Sequence, residues 1–97
     1  MLVVVCYDIS FEEQKAGQTR LRRLAKLCED HGRRVQYSVF EFDITPDVWV
    51  ELKNKILKTI LTGKDSIRIY YLGSSKKMQI EHFGPKNFLD FNQPLIL

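Results

Sequence analysis

Cysteine is scarce in this 97-residue chain, with only Cys6 and Cys28. Both fall at apolar-patterned positions, so they read as small buried hydrophobes and not as a disulfide framework. There is no Cys-x-x-Cys and no Cys/His cluster, which argues against a structural zinc site. The two histidines, His31 and His82, stand beside no Cys or Ser in a triad-like pattern. Glycine-rich phosphate loops and the G-x-S-x-G elbow are missing as well. No apolar run approaches the ~18 residues of a membrane span, and the start lacks the basic and apolar regions of a signal peptide. These absences predict a cytoplasmic protein with no membrane partner. Linkers, repeats and low-complexity segments are also lacking, so residues 1–97 read as a single domain.

Charge is present in modest excess. Fifteen Lys and Arg face twelve Asp and Glu, for a net charge of +3. That balance allows an anionic partner without demanding one. A chain this short buries only ~60–65% of its unfolded surface, and dimerisation is a natural way to bury more.

Residues 2–8, Leu-Val-Val-Val-Cys-Tyr-Asp, are mostly β-branched and apolar, the mark of a central strand. Residues 11–18 read as a polar loop with Gly17 near its end and Thr19 as a helix cap. Leu21, Leu24, Ala25 and Cys28 then follow the spacing of one helical face, and Gly32 is suited to the position just past the helix end. Residues 33–44 are strand-rich but long for one strand, so a bend or a tight reversal is expected near Ser38. A second helix starts at Thr45 as N-cap, with Pro46 at its first position and Asp47 in its first turn. Trp49, Leu52, Ile56 and Ile60 form its buried face, and Gly63 ends it. Ile67, Ile69 and Tyr71 alternate as a strand. After a turn at Gly73-Ser74-Ser75, residues 76–83 form a more polar edge strand. The apolar tail 95–97 requires a docking site. This order predicts an α+β ferredoxin-like sandwich, with two helices on one face of a mostly antiparallel four- to five-stranded sheet. The other face needs a cover, and a second protomer is the simplest one.

Asp8, closing the first strand, is the sharpest chemical signal. As a structural residue it would cap the following loop by accepting backbone N–H groups. As a functional one it would hold Mg²⁺ or Mn²⁺, which take oxygen ligands and often only one or two carboxylates. One Asp per chain is thin for phosphodiester cleavage, but a two-fold dimer brings two copies together. Ser10 reads as a turn hydroxyl or a water-orienting group.

Arg20, Arg22, Arg23 and Lys26 place four cations within seven residues. They read either as a solvated helix face or as contacts to phosphates that position a nucleic acid without reading its sequence. Arg33 and Arg34 extend the second idea, and Lys76 and Lys77 form a further basic spot. The aromatics Tyr37, Phe40, Phe42, Tyr70 and Tyr71 lie on strands. Core packing explains them better than base stacking, because no RNP-type motif accompanies them.

Val-Val-Val-Cys-Tyr-Asp-Ile at 3–9, Arg-Leu-Arg-Arg-Leu-Ala-Lys at 20–26 and Gly-Arg-Arg-Val-Gln-Tyr-Ser-Val-Phe-Glu at 32–41 together resemble the CRISPR-associated protein 2 family. Asp-Ser-Ile-Arg-Ile-Tyr at 65–70 is similar to its later strand, and residues 81–84 with 94–96 to the tail of a subset. The resemblance implies a ferredoxin-like homodimer whose C-terminal segment, here 95–97, adds to the partner's sheet. It implies that Asp8 is the metal site of a Mg²⁺-dependent endonuclease acting on single-stranded RNA or double-stranded DNA. It places the family's nucleic-acid-binding arginines on Arg20, Arg22, Arg23 and Arg34. It also implies a partner, the CRISPR-associated integrase (the first adaptation protein), whose two dimers the family bridges during spacer acquisition. One departure stands out: Ser10 to Gln18 lengthens the segment after Asp8, which bears on RNA-versus-DNA preference.

Three functions compete. One is an endonuclease in which two Asp8 carboxylates hold a divalent metal. Another is a non-catalytic dimeric scaffold that binds duplex DNA and bridges the integrase. The last is a toxin-like messenger RNA ribonuclease of the same fold type.

Overall fold

The computed structural model describes residues 1–73 and 79–85. Lys76, Lys77 and the tail 95–97 lie outside the described residues. The chain runs β1 (Leu2–Asp8), α1 (Gln14–Glu29), β2 (Arg33–Gln36), β3 (Val39–Asp43), α2 (Pro46–Thr59), β4 (Ser66–Leu72) and β5 (Gln79–Phe83). The strands form one sheet ordered β2-β3-β1-β4-β5, and each neighbouring pair is antiparallel. The two helices pack side by side over one face. This is the α+β, ferredoxin-like arrangement that the element order predicts, with five strands.

Strand alternation sorts side chains between a covered and an open face. On β1, Val3, Val5 and Tyr7 are buried under the helices. They stand opposite Phe42 and Phe40 on β3, and opposite Tyr71, Ile69 and Ile67 on β4. Leu2, Val4, Cys6 and Asp8 take the other face, opposite Leu72, Tyr70, Arg68 and Ser66. Phe40 and Phe42 are fully buried, each contributing about 1.5–3 kcal/mol by leaving water. A row of rings, Tyr7–Phe40–Phe42–Trp49–Tyr71, runs through the core with successive centroids 6.1, 6.3, 6.0 and 6.0 Å apart. Two of the strand-region aromatics do not join the core: Tyr37 is 86% exposed, and Tyr70 is half-buried on the open face opposite Val4.

The second helix follows its sequence signals. Thr45 is the N-cap, Pro46 opens the helix, and Trp49, Leu52 and Ile56 are buried. Hydrogen bonds from the Thr45 side chain and from the N–H groups of Asp47 and Val48 hold the Asp47 carboxyl below its ordinary pKa. The reversal near Ser38 is also present, between β2 and β3. Both cysteines are free, and burial pushes the Cys28 thiol up to about 12.

Four expectations are corrected, those for the 11–18 loop, Thr19, Gly32 and Gly63. The segment 11–18 is not all loop, because α1 begins at Gln14 and Gly17 is buried within it. A Cβ on Gly17 would lie 2.4 Å from the Ser10 carbonyl oxygen, so this glycine serves a close approach and not a loop. Thr19 is therefore mid-helix, its hydroxyl donating to the Lys15 carbonyl at 3.0 Å. The segment after Asp8 is correspondingly shorter than the sequence suggested. Gly32 does not end α1 through a left-handed conformation, since Gly84 is the one described residue with positive φ. Instead a Cβ at Gly32 would meet the Glu41 carbonyl and the Phe42 ring at 2.4 and 2.5 Å. Gly63 lies beyond the end of α2, which closes at Thr59 with Ile60 as C-cap.

Candidate metal and nucleic-acid site

Asp8 ends β1 on the open sheet face, exposed and in register with Ser66. No hydrogen bond or ion pair to another described residue engages its carboxylate. It does not accept the backbone N–H groups of the following loop, so the capping role is not what holds it here. An exposed oxygen donor of this kind suits Mg²⁺ or Mn²⁺. Among the described residues, no three His, Cys, Asp or Glu side chains gather to hold a metal. Asp8 thus stands as a hard oxygen ligand outside any three-residue metal cluster among the described residues. Ser10 Oγ accepts the Glu12 N–H at 3.2 Å, which is the turn role.

The backbone around Asp8 is anchored by a residue that the sequence did not single out. Asp65, immediately before β4, is fully buried. It accepts the Arg20 Nε at 2.6 Å and an Arg20 Nη at 3.0 Å. It also accepts the N–H of Ser10 at 2.9 Å and of Leu61 at 2.8 Å. Arg20 donates in addition to the Ser10 carbonyl at 3.2 Å. Burial by itself would raise the Asp65 carboxyl. The Arg20 guanidinium and the two N–H groups outweigh it and hold the pKa below the ordinary value. The loop leaving Asp8 and the loop entering β4 are thereby tied at one carboxylate.

The four candidate arginines are not equivalent. Arg20 is occupied by Asp65, with its side chain 16% exposed. Arg22 and Arg23 are exposed on α1 and face a groove of about 670 Å³ between the helices. Lys26 joins them from α1, and Lys55 and Lys58 join from α2. Arg34 lies on β2, with a guanidinium nitrogen 3.3 Å from Glu29 and its carbon 5.1 Å from the Phe40 ring centroid. Arg34, Arg22, Tyr7 and Tyr37 border a separate cavity of about 340 Å³. The neighbouring Arg33 pairs with Glu41 at 3.1 Å. Sequence reasoning missed Asp65, Lys55 and Lys58. The lysines carried a faint signal, since both avoid the positions of Leu52 and Ile56 on the buried face of α2.

The comparisons with known proteins agree over nearly the whole chain. A family model described as CRISPR associated protein Cas2 matches residues 1–80. A protein of Nitratidesulfovibrio vulgaris named CRISPR-associated endoribonuclease Cas2 is 50% identical over 97 residues, covering 100% of this chain and 94% of its own length. One from Halalkalibacterium halodurans named CRISPR-associated endonuclease Cas2 is 42% identical over 96 residues, covering 99% of each chain. The crystal structure of Streptococcus pyogenes Cas2 at pH 6.5 superposes with a TM-score of 0.69 at 49% identity, covering 75% of this chain and 87% of that one. With the match running through the strand that ends in Asp8 and the helix that carries Arg22 and Arg23, the chain belongs to the CRISPR associated protein Cas2 family.

Proposed function

We propose that this chain is a metal-dependent endonuclease of CRISPR adaptation, acting as a homodimer on single-stranded RNA or duplex DNA. The observation that carries the reading is Asp8, an exposed carboxylate with no described partner at the end of a central strand. Relatives named endoribonuclease and endonuclease support the reaction class. In the dimer, the open sheet faces meet and each chain contributes its Asp8. The two carboxylates would hold Mg²⁺ or Mn²⁺, whose chemistry there would be Lewis-acid polarisation of a phosphodiester and activation of a water. Asp65 and Arg20 fix the backbone on either side of Asp8. Arg22, Arg23 and Arg34 hold phosphates of the substrate. Residues 95–97 dock on the partner's sheet, and the assembly binds the CRISPR-associated integrase.

Asp8→Ala tests this on both substrates with Mg²⁺ present. Cleavage is expected to vanish while nucleic-acid binding and folding persist. Cleavage at the wild-type rate would trace the activity to a contaminating nuclease and end the proposal.

A second reading, the non-catalytic scaffold that clamps duplex DNA and bridges the integrase, is favoured by one observation. Among the described residues, Asp8 belongs to no group of three His, Cys, Asp or Glu side chains that could hold a metal. On this reading Asp8→Ala leaves spacer acquisition intact. Loss of acquisition in a folded variant would refute it.

A further inference from the structure

The reversal between β2 and β3 carries a tyrosine that neither the core nor the turn calls for. Tyr37 and Ser38 form the turn between Gln36 and Val39. Short hairpin turns favour Gly, Asn and Asp, which tolerate positive φ, yet no described non-glycine residue has positive φ. Packing does not explain the ring either. It is 86% exposed, whereas the neighbouring rings of Tyr7, Phe40 and Phe42 are buried. An aromatic face left open to solvent is a surface on which a planar group can stack.

The surroundings of Tyr37 indicate which planar group. It borders the cavity of about 340 Å³ together with Arg22 and Arg34, a volume at the small end of the range for ligand sites. Two guanidinium groups thus stand at its edge, and no carboxylate is found among its described lining residues. Arg34 meets the Glu29 carboxylate at 3.3 Å in an exposed pair. Such a pair contributes little, and a phosphate offers the guanidinium a strong alternative partner. Gln18 adds an amide that can both donate and accept, and Leu21 adds apolar lining.

We infer that this cavity seats one unpaired nucleotide, with its base stacked on Tyr37 and its phosphate held by Arg22 and Arg34. The inference rests on the reading of this chain as a nuclease and narrows its substrate to unpaired strands. A base inside a duplex has both faces covered by its neighbours, so only an unstacked base presents a face to the ring. The turn is also tied to the end of β1. The Tyr7 N–H donates to the Ser38 carbonyl at 3.1 Å, and the Tyr7 hydroxyl donates to the Tyr37 carbonyl at 3.5 Å. Asp8 follows Tyr7 directly and takes the other face of the sheet. A nucleotide on Tyr37 is therefore anchored at the end of the sheet that carries the candidate metal ligand. Tyr37 acts here as a specificity residue, selecting unpaired over paired strands without reading their sequence.

The test is Tyr37→Leu, titrated by fluorescence anisotropy against three labelled probes. These are a mixed-sequence single strand, the same strand with abasic spacers in place of its nucleosides, and a duplex, all with chelator present so that none is cut. Affinity for the single strand is expected to fall by about 5- to 150-fold, the worth of one base stacked on an aromatic ring. The slope of log K against log salt should not change, because no charge is removed. Tyr37→Phe and Tyr37→Trp should restore the affinity. The abasic strand and the duplex should bind the wild type and Tyr37→Leu alike. The bonds from Tyr7 to the turn end on main-chain carbonyls, so every variant keeps them, and circular dichroism checks folding. Unchanged single-strand affinity in Tyr37→Leu would overturn the inference, as would an equal loss on the abasic strand or on the duplex. Loss of cleavage in Asp8→Ala bears only on the nuclease reading, so the two can fail separately.

Discussion

Arg20 and Asp65, 45 positions apart in the chain, meet in a two-point ion pair with Nε to Oδ2 at 2.6 Å and Nη to Oδ1 at 3.0 Å. The pair removes Arg20 from the set of cations available to a phosphate. It also closes the fold at the end of β1, because the same carboxylate accepts the N–H groups of Ser10 and Leu61. Four donors thus converge on one buried carboxylate.

Asp65→Ala leaves the Arg20 guanidinium and two backbone N–H groups without their acceptor. Breaking a buried pair by removing one partner is expected to destabilise by about 3 kcal/mol, which lowers Tm by roughly 10–20 °C for a domain of this size. Thermal unfolding followed by circular dichroism measures it. A Tm within 2–3 °C of wild type, about the shift of an ordinary surface substitution, would contradict the role assigned to Asp65.

The same carboxylate shapes the acid limb of stability. Its pKa is depressed in the folded protein, so its contribution is fully present above the ordinary aspartate value of ~3.9. That contribution is lost as pH falls below this value through the lowered one. Urea unfolding at a series of pH values should therefore show stability dropping below about pH 4. In Asp65→Asn, which carries no titrating group, the drop should be shallower over the same window.

Asp8→Asn separates chemistry from architecture. The residue is exposed and its carboxylate engages no described partner, so stability should change by less than about 0.5 kcal/mol. Mg²⁺-dependent cleavage should fall by more than about 100-fold, beyond the loss that follows removal of an outer-shell partner. Chelation of the metal should reduce the wild type to the variant's rate. Cleavage assays with and without EDTA, on protein of verified Tm, decide the matter.

Gly17→Ala sets helix propensity against packing. Alanine favours a helix interior by about 1 kcal/mol, yet its Cβ would lie 2.4 Å from the Ser10 carbonyl oxygen and 3.0 Å from the Phe11 ring. A backbone atom at that distance must move, so the variant should be destabilised by about 1–3 kcal/mol. Chemical denaturation provides the number, and a stabilised variant would show that the loop after Asp8 yields freely.

Much of this fold is legible because local signals and packing agree. The run ending in Asp8 is a strand in any context that buries it, and Thr45-Pro46-Asp47 opens a helix by its own geometry. The site is less legible because its decisive relationships are long-range. Arg20 and Arg22 look alike in sequence, and they differ only in what stands opposite them after folding. Asp65 reads as a solvated loop carboxylate until the chain brings Ser10 and Leu61 to it. Gly17 resembles a loop glycine for the same reason, since the carbonyl that excludes a side chain there is seven residues away and becomes a neighbour only once the loop turns back. Lys55 and Lys58 are ordinary surface residues on α2 until α1 places Arg22 and Arg23 across the groove.

The row of core rings has a practical consequence. Trp49 is the single tryptophan of the chain, 3% exposed, and its indole N–H donates to the Tyr71 hydroxyl at 3.1 Å. It touches Phe42 on one side and Tyr71 on the other, and so joins α2 to β3 and β4. Its emission spectrum therefore reports on one location, the junction of the helical layer and the sheet. A red shift that coincides with loss of far-ultraviolet dichroism would mark a single cooperative unit. An earlier red shift would mark the helices lifting from the sheet before the strands separate.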